Sequence, residues 1–166
     1  MGVTVAFSQV LLAVIFLVSA SLKLPKFLEF KGTIVETLTL PGKIAGILAS
    51  GVVVSELFTV AVLIIGPAWL GYLSSLVLLS AFTAYLVWIL VRHPGASCGC
   101  TGSREKSASW TLVARNLILA ISAVVGWLAS SQNAQLSISM HITIIAPAIL
   151  TGIFLLHLDE FTYFFR

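Results

Sequence analysis

The sequence predicts an all-α integral membrane protein, a single-domain bundle of four or five transmembrane helices, with five preferred. Hydrophobic residues make up 59% of the chain and charged residues only 9%, whereas a soluble domain has about a quarter charged residues. The mean hydropathy of +1.11 agrees with this composition. So few charges cannot cover a surface that faces water, and we therefore expect most of the 166 residues to face lipid or the bundle interior.

Five apolar runs each approach the length that a transmembrane helix needs, which is roughly 20 residues for a bilayer core of about 30 Å. Glu56 is the single charge in the second run, and Arg115 lies inside the start of the fourth. Pro147 is expected to kink the fifth run, and for this reason a four-span bundle remains the alternative. The predicted spans are 3–22, 44–65, 69–91, 110–129 and 138–158.

The basic residues predict an orientation. If the chain crosses the membrane five times, all nine lysines and arginines fall on one side, and the positive-inside rule assigns that side to the cytoplasm. We therefore expect an inner-membrane protein with its N-terminus outside and its C-terminus and the 92–109 loop in the cytoplasm. The scattered charges form no basic face, so we expect no nucleic-acid binding. The connection between the first two spans is amphipathic enough for a short interfacial helix.

The most reactive feature is Cys98-Gly99-Cys100, which lies in the 92–109 loop and contains both cysteines of the chain. A disulfide across one intervening residue closes a small, strained ring, and strain makes such a bond labile. The pair therefore suits exchange of electrons or disulfides better than a structural crosslink. Two alternatives remain open. The two thiolates could bind a soft metal ion such as Cu(I) or Hg(II), or the cysteines could be incidental in a membrane scaffold.

Glu56 lies close to the middle of the second span. A carboxylate at this depth is costly, so it indicates a functional site, either a proton relay or a contact to a quinone or substrate. The structural alternative is a hydrogen bond that holds two helices together. The partners available for such a bond are Ser19, Ser21, Thr83 and Tyr85.

Arg115 and Asn116 open the fourth span. We expect Arg115 mainly to anchor the helix by extending its side chain to the cytoplasmic headgroups. It could instead pair with an acid, or point at the Cys98–Cys100 loop, where a cation favours thiolate. His93 is a candidate proton donor for thiol chemistry, and its alternative is an ordinary interfacial position.

Four short motifs follow one another along residues 8–130. The first ends the first span, the second precedes the next span, the third lies within that span, and the fourth joins the cysteine pair to the start of the fourth span. They are Ser19-Ala20-Ser21-Leu22-Lys23-Leu24-Pro25-Lys26-Phe27, then Leu40-Pro41, then Ser55-Glu56-Leu57, then Cys98-Gly99-Cys100-Thr101-Gly102 with Val113-Ala114-Arg115-Asn116-Leu117.

The order and spacing of these motifs resemble the motif pattern of the MauE family. This family comprises methylamine-utilisation membrane proteins and is related to the DoxX group. The chain departs from the family pattern at Thr101, where phenylalanine is usual. The resemblance implies a redox-associated membrane protein that helps a disulfide-rich partner mature, together with a thioredoxin-like protein. A relay across the membrane needs a second thiol pair, which this chain lacks. We therefore expect that pair on a partner, or transfer of the electrons to a quinone.

Overall fold

The computed structural model describes residues 2–92, 109–130 and 138–156, and the side chains of 138–143 are outside the description. This part of the chain folds into six α-helices and contains no strand. The helices are α1 Gly2–Lys23, α2 Phe27–Leu38, α3 Gly42–Ile65, α4 Ala68–Arg92, α5 Trp110–Ser130 and α6 Ile138–Leu156.

Within the described ranges, α1, α3, α4 and α5 are the helices long and apolar enough to cross a membrane. The predicted fold class, an all-α membrane bundle, is confirmed. Large apolar side chains such as Ile47, Ile64 and Leu128 are about 70% exposed, as expected for a surface that faces lipid rather than water. The helix α6 contains Pro147, and the predicted fifth span extends to 158, outside the described residues. The limits of the spans and their orientation remain predictions.

Helix α1 forms the centre of the bundle, since it packs against α3, α5 and α6. Its buried residues meet those of the surrounding helices in the largest hydrophobic cluster, while α4 packs mainly against α5 and α3. Residues of this cluster include Leu11, Leu12, Ile15, Phe16, Val60, Leu63, Leu79 and Leu119.

The short helix predicted between the first two spans is present as α2. Its apolar face, with Phe30 and Ile34, packs on Ala45 and Ala49 near the start of α3. On α2, Thr37 Oγ1 lies 2.8 Å from the hydroxyl of Tyr85 on α4. The helix α2 therefore covers the end of the bundle where α1 and α4 end and α3 begins.

At the other end of α1, three helices approach closely around Gly126 of α5. The hydroxyl of Tyr72 donates a hydrogen bond to the Val5 carbonyl at 2.9 Å and shares another with Ser8 Oγ at 2.8 Å. A Cβ atom at Gly126 would lie 2.2 Å from Ser8 Oγ and 2.6 Å from two carbons of the Tyr72 ring. Only glycine fits here, because a side chain would displace this buried hydrogen-bonded group.

We expect Gly126→Ala to lower the free energy of unfolding by about 1–3 kcal/mol, the usual cost of forcing an extra carbon into a packed core. Thermal or denaturant unfolding of the purified protein in one detergent measures it. The matched control is Gly51→Ala, since a Cβ atom there would meet nothing within 4 Å. Alanine is the better helix former by about 1 kcal/mol, so the control should be neutral or stabilised. Equal losses in the two variants would contradict the packing at Gly126.

Candidate functional site

A buried ion pair joins α1 to α3. The Lys23 ammonium pairs with Glu56 Oε1, and the side chains are 3% and 0% exposed. Ser19 Oγ donates a hydrogen bond to the same carboxylate oxygen at 2.9 Å. Ser19 was one of the four partners that the sequence offered for Glu56. Of the others, Thr83 donates to the Leu79 carbonyl instead, and the Tyr85 hydroxyl is bonded to Thr37.

Lys23 is the residue of this site to which the sequence assigns no role of its own, since a lysine at the end of a predicted span is ordinarily an interfacial or orienting residue. It is the last residue of α1 and is buried. Its side chain turns into the bundle because a carboxylate in an apolar interior requires a counter-charge. The signal that could have revealed it is the spacing of Ser19 and Lys23, which places both on one face of a helix.

Groups from four helices surround the Lys23 ammonium. It donates to Ser19 Oγ at 2.8 Å, and it lies 5.5 Å from the ring centre of Phe30 on α2 and 5.1 Å from that of Phe82 on α4. The faces of aromatic rings attract a cation at such distances, and more strongly where water is excluded. Together with Glu56 of α3, these contacts hold α1, α2, α3 and α4 around one charge.

Arg115 of α5 is also buried, with 8% of its surface exposed. The expectation that its side chain extends to the headgroups is therefore wrong for this structure, because the arginine lies inside the bundle. In the described part of the chain, its Nε and Nη1 atoms have no hydrogen-bond partner, and neither does Glu56 Oε2. The guanidinium and the carboxylate are therefore not hydrogen-bonded to each other through these atoms.

A cavity of about 230 Å³ lies between α1, α2, α3, α4 and α5. Its polar lining comes from Ser19, Lys23, Tyr85, Arg115 and Asn116, and the remainder is apolar. The apolar lining consists of Ile15, Phe16, Leu22, Phe30, Ile34, Leu38, Leu48, Val52, Leu79, Ala81, Phe82 and Leu119. The cavity can therefore accept an apolar molecule and offers it a few polar contacts.

Cys98, Cys100 and His93 lie outside the described residues. Their predicted roles, including stabilisation of a thiolate by Arg115, remain predictions. The described residues contain no cluster of three or more histidine, cysteine, aspartate or glutamate side chains that could bind a metal ion. The chain itself places the cysteine pair in the segment 93–108, which joins the end of α4 to the start of α5.

The apolar helices, the buried ion pair and the cavity between them define a multi-pass α-helical membrane protein with a polar site inside its bundle. The family profile described as "Methylamine utilisation protein MauE" matches residues 1–129, and the chain belongs to the MauE family. The matched range includes α1 to α4, nearly all of α5 and the Cys-Gly-Cys segment. No curated protein and no solved structure matches the chain.

We expect Lys23→Met and Glu56→Gln each to lower the free energy of unfolding by about 3–5 kcal/mol, because each removes one partner of a buried ion pair and strands the other. The double variant should recover most of that loss, since it leaves no stranded charge. Denaturant unfolding in one detergent gives the coupling energy of the pair.

Lys26→Met is the matched control, since it removes the same charge from an exposed position three residues away. Its stability should stay close to that of the parent protein. Losses that simply add in the double variant would show that Lys23 and Glu56 do not depend on each other, and would contradict the ion pair.

Proposed function

We propose that this protein is a membrane thiol–disulfide redox protein of methylamine utilisation, in which Cys98 and Cys100 alternate between dithiol and disulfide. Oxidation of the two thiols forms one S–S bond and releases two electrons and two protons. A thioredoxin-like partner takes them when its own disulfide is reduced to two thiols, or a quinone takes them when it is reduced to the quinol. The thioredoxin-like protein, once reduced, can rearrange the disulfides of a disulfide-rich partner by thiol–disulfide exchange while that partner matures.

The observation that carries this proposal is the position of the cysteine pair in the chain. The pair lies in the segment that joins α4 to α5, and near that junction Tyr85 of α4 and Arg115 of α5 line the cavity. A guanidinium stabilises a thiolate that comes close to it. The family assignment supports the proposal, since the matched range includes both cysteines.

In this proposal Glu56 handles protons or contacts the electron carrier. Its Oε1 atom is held by Lys23 and Ser19, whereas Oε2 has no hydrogen-bond partner among the described residues. A free carboxylate oxygen in the bundle can accept a proton or a hydroxyl hydrogen bond. The ion pair keeps the carboxylate in place, and its second oxygen remains available for that step.

The orientation belongs to the proposal as well. The positive-inside rule places the cysteine pair in the cytoplasm, where it would take electrons from cytosolic donors. Disulfide formation is more natural at the outer face, where thiols are not kept reduced. Labelling of the two thiols with an impermeant reagent, in intact cells and in broken cells, distinguishes the two sides.

We expect Cys98 and Cys100 to form a disulfide with a midpoint potential between about −350 and −100 mV, the span of biological dithiols. Purified protein is equilibrated in redox buffers, and the free thiols are counted by alkylation and mass spectrometry. Cys98→Ser and Cys100→Ser are the controls, because each leaves one thiol and allows no internal bond. Two free thiols at every potential in this range would contradict the relay.

The single-cysteine variants also test the partner. One of them should trap a mixed disulfide with a thioredoxin-like protein from the native membrane, because the second thiol that resolves the bond is missing. Tight binding of Cu(I) or Hg(II) without any disulfide would favour a soft-metal carrier instead. Full activity of Cys98→Ala/Cys100→Ala in methylamine utilisation would favour a scaffold whose cysteines are incidental.

A further inference from the structure

We propose that the cavity binds an anionic amphiphile, a molecule with one acidic oxygen headgroup on a hydrocarbon body. The headgroup binds to Arg115, and the hydrocarbon lies along the apolar walls formed by α1 to α4. This site does not depend on the cysteine pair, so it goes beyond the proposed redox function.

The charge of Arg115 is the first argument. The guanidinium stays protonated in proteins, and this one is more than nine-tenths buried while Nε and Nη1 lack partners in the described part of the chain. Lys23 and Glu56 compensate each other through their ion pair. Among the described residues, one positive charge is therefore left at the cavity, and a buried charge without a counter-charge is unfavourable. A single anionic group in the cavity would neutralise it.

The lining of the cavity is the second argument. Most of the surrounding side chains are aliphatic or aromatic. A small anion such as phosphate would make no apolar contacts with these side chains. An apolar cavity of about 150 Å³ holds benzene, and this cavity has about 230 Å³. It therefore has room for a hydrocarbon body beside the headgroup. Asn116, which follows Arg115 and also lines the cavity, adds an amide group that can donate to the same headgroup.

An anion also fits better than a neutral quinone. A quinone carbonyl accepts hydrogen bonds from a guanidinium but leaves its charge uncompensated, whereas a carboxylate or phosphate does both and binds through stronger, charge-assisted hydrogen bonds. The acidic group could belong to a free fatty acid or to a phospholipid, because both present anionic oxygens on a hydrocarbon chain. The experiment has to separate these two sources.

The experiment uses the full-length protein in nanodiscs of a zwitterionic lipid and measures binding of decanoate and of decanol, which has the same chain and an uncharged head. We expect decanoate to bind at least tenfold more tightly. Decyl phosphate, compared with decanoate, distinguishes a phosphate head from a carboxylate head. Acetate and inorganic phosphate, which have no hydrocarbon chain, should bind at least tenfold more weakly than the corresponding amphiphiles.

Arg115→Gln should abolish the preference for decanoate over decanol, and it should raise the unfolding temperature of the ligand-free protein because it removes an uncompensated buried charge. Arg92→Gln is the matched control, since it removes the same charge from an exposed position at the end of α4 and should keep the preference. If Arg115→Gln does not fold, Val52→Trp provides a second test, because an indole in the cavity wall should block binding while Arg115 remains.

Several results would overturn the proposal. Equal affinity for decanoate and decanol in the parent protein would show that no cation selects the headgroup. An unchanged preference in Arg115→Gln, or a loss of ligand-free stability in that variant, would show that Arg115 is not the uncompensated charge. Tighter binding of a decyl-substituted quinone than of decanoate would assign the cavity to the neutral carrier. None of these measurements requires Cys98 or Cys100, and the redox titration of the two thiols tests the redox proposal separately.

Discussion

The ion pair between Lys23 and Glu56 is the interaction on which the arrangement of this end of the bundle depends. A carboxylate inside an apolar bundle needs a counter-charge, and the lysine that supplies it is the final residue of α1. The register of α1 against α3 is therefore set by a charge and not only by apolar packing, which is less selective. The rings of Phe30 and Phe82 close over the same ammonium, so that α2 and α4 are positioned by it as well.

The cavity is a consequence of the same arrangement. Because α2 is held across α1, α3 and α4, the space beneath it is bordered by helices and lined mostly by their apolar side chains. Arg115 lies in this space from the α5 side. The two cations of the site thus have different surroundings, since Lys23 has a carboxylate partner and Arg115 lacks hydrogen bonds at two of its nitrogens in the described residues.

The sequence predicted the fold class because the length and polarity of an apolar run are enough to identify a membrane helix. It also identified Glu56 as unusual, named Ser19 among its partners and anticipated the short helix α2. It missed Lys23, since a lysine next to a predicted span is ordinarily an interfacial residue. The predicted direction of the Arg115 side chain was also wrong. A long side chain near the start of a span can turn outward or inward, and the sequence does not distinguish the two directions. The cavity depends on how five helices pack, and no local pattern indicates it.

The two polar groups along α1 differ in how tightly they are packed. The side chains of Ser8 and Tyr72 pack so closely on Gly126 that one added carbon would collide with them. Near Lys23, some 22 Å further along the helix at 1.5 Å per residue, the helices border the cavity. Changes in side-chain size are therefore absorbed at one end of α1 and rejected at the other.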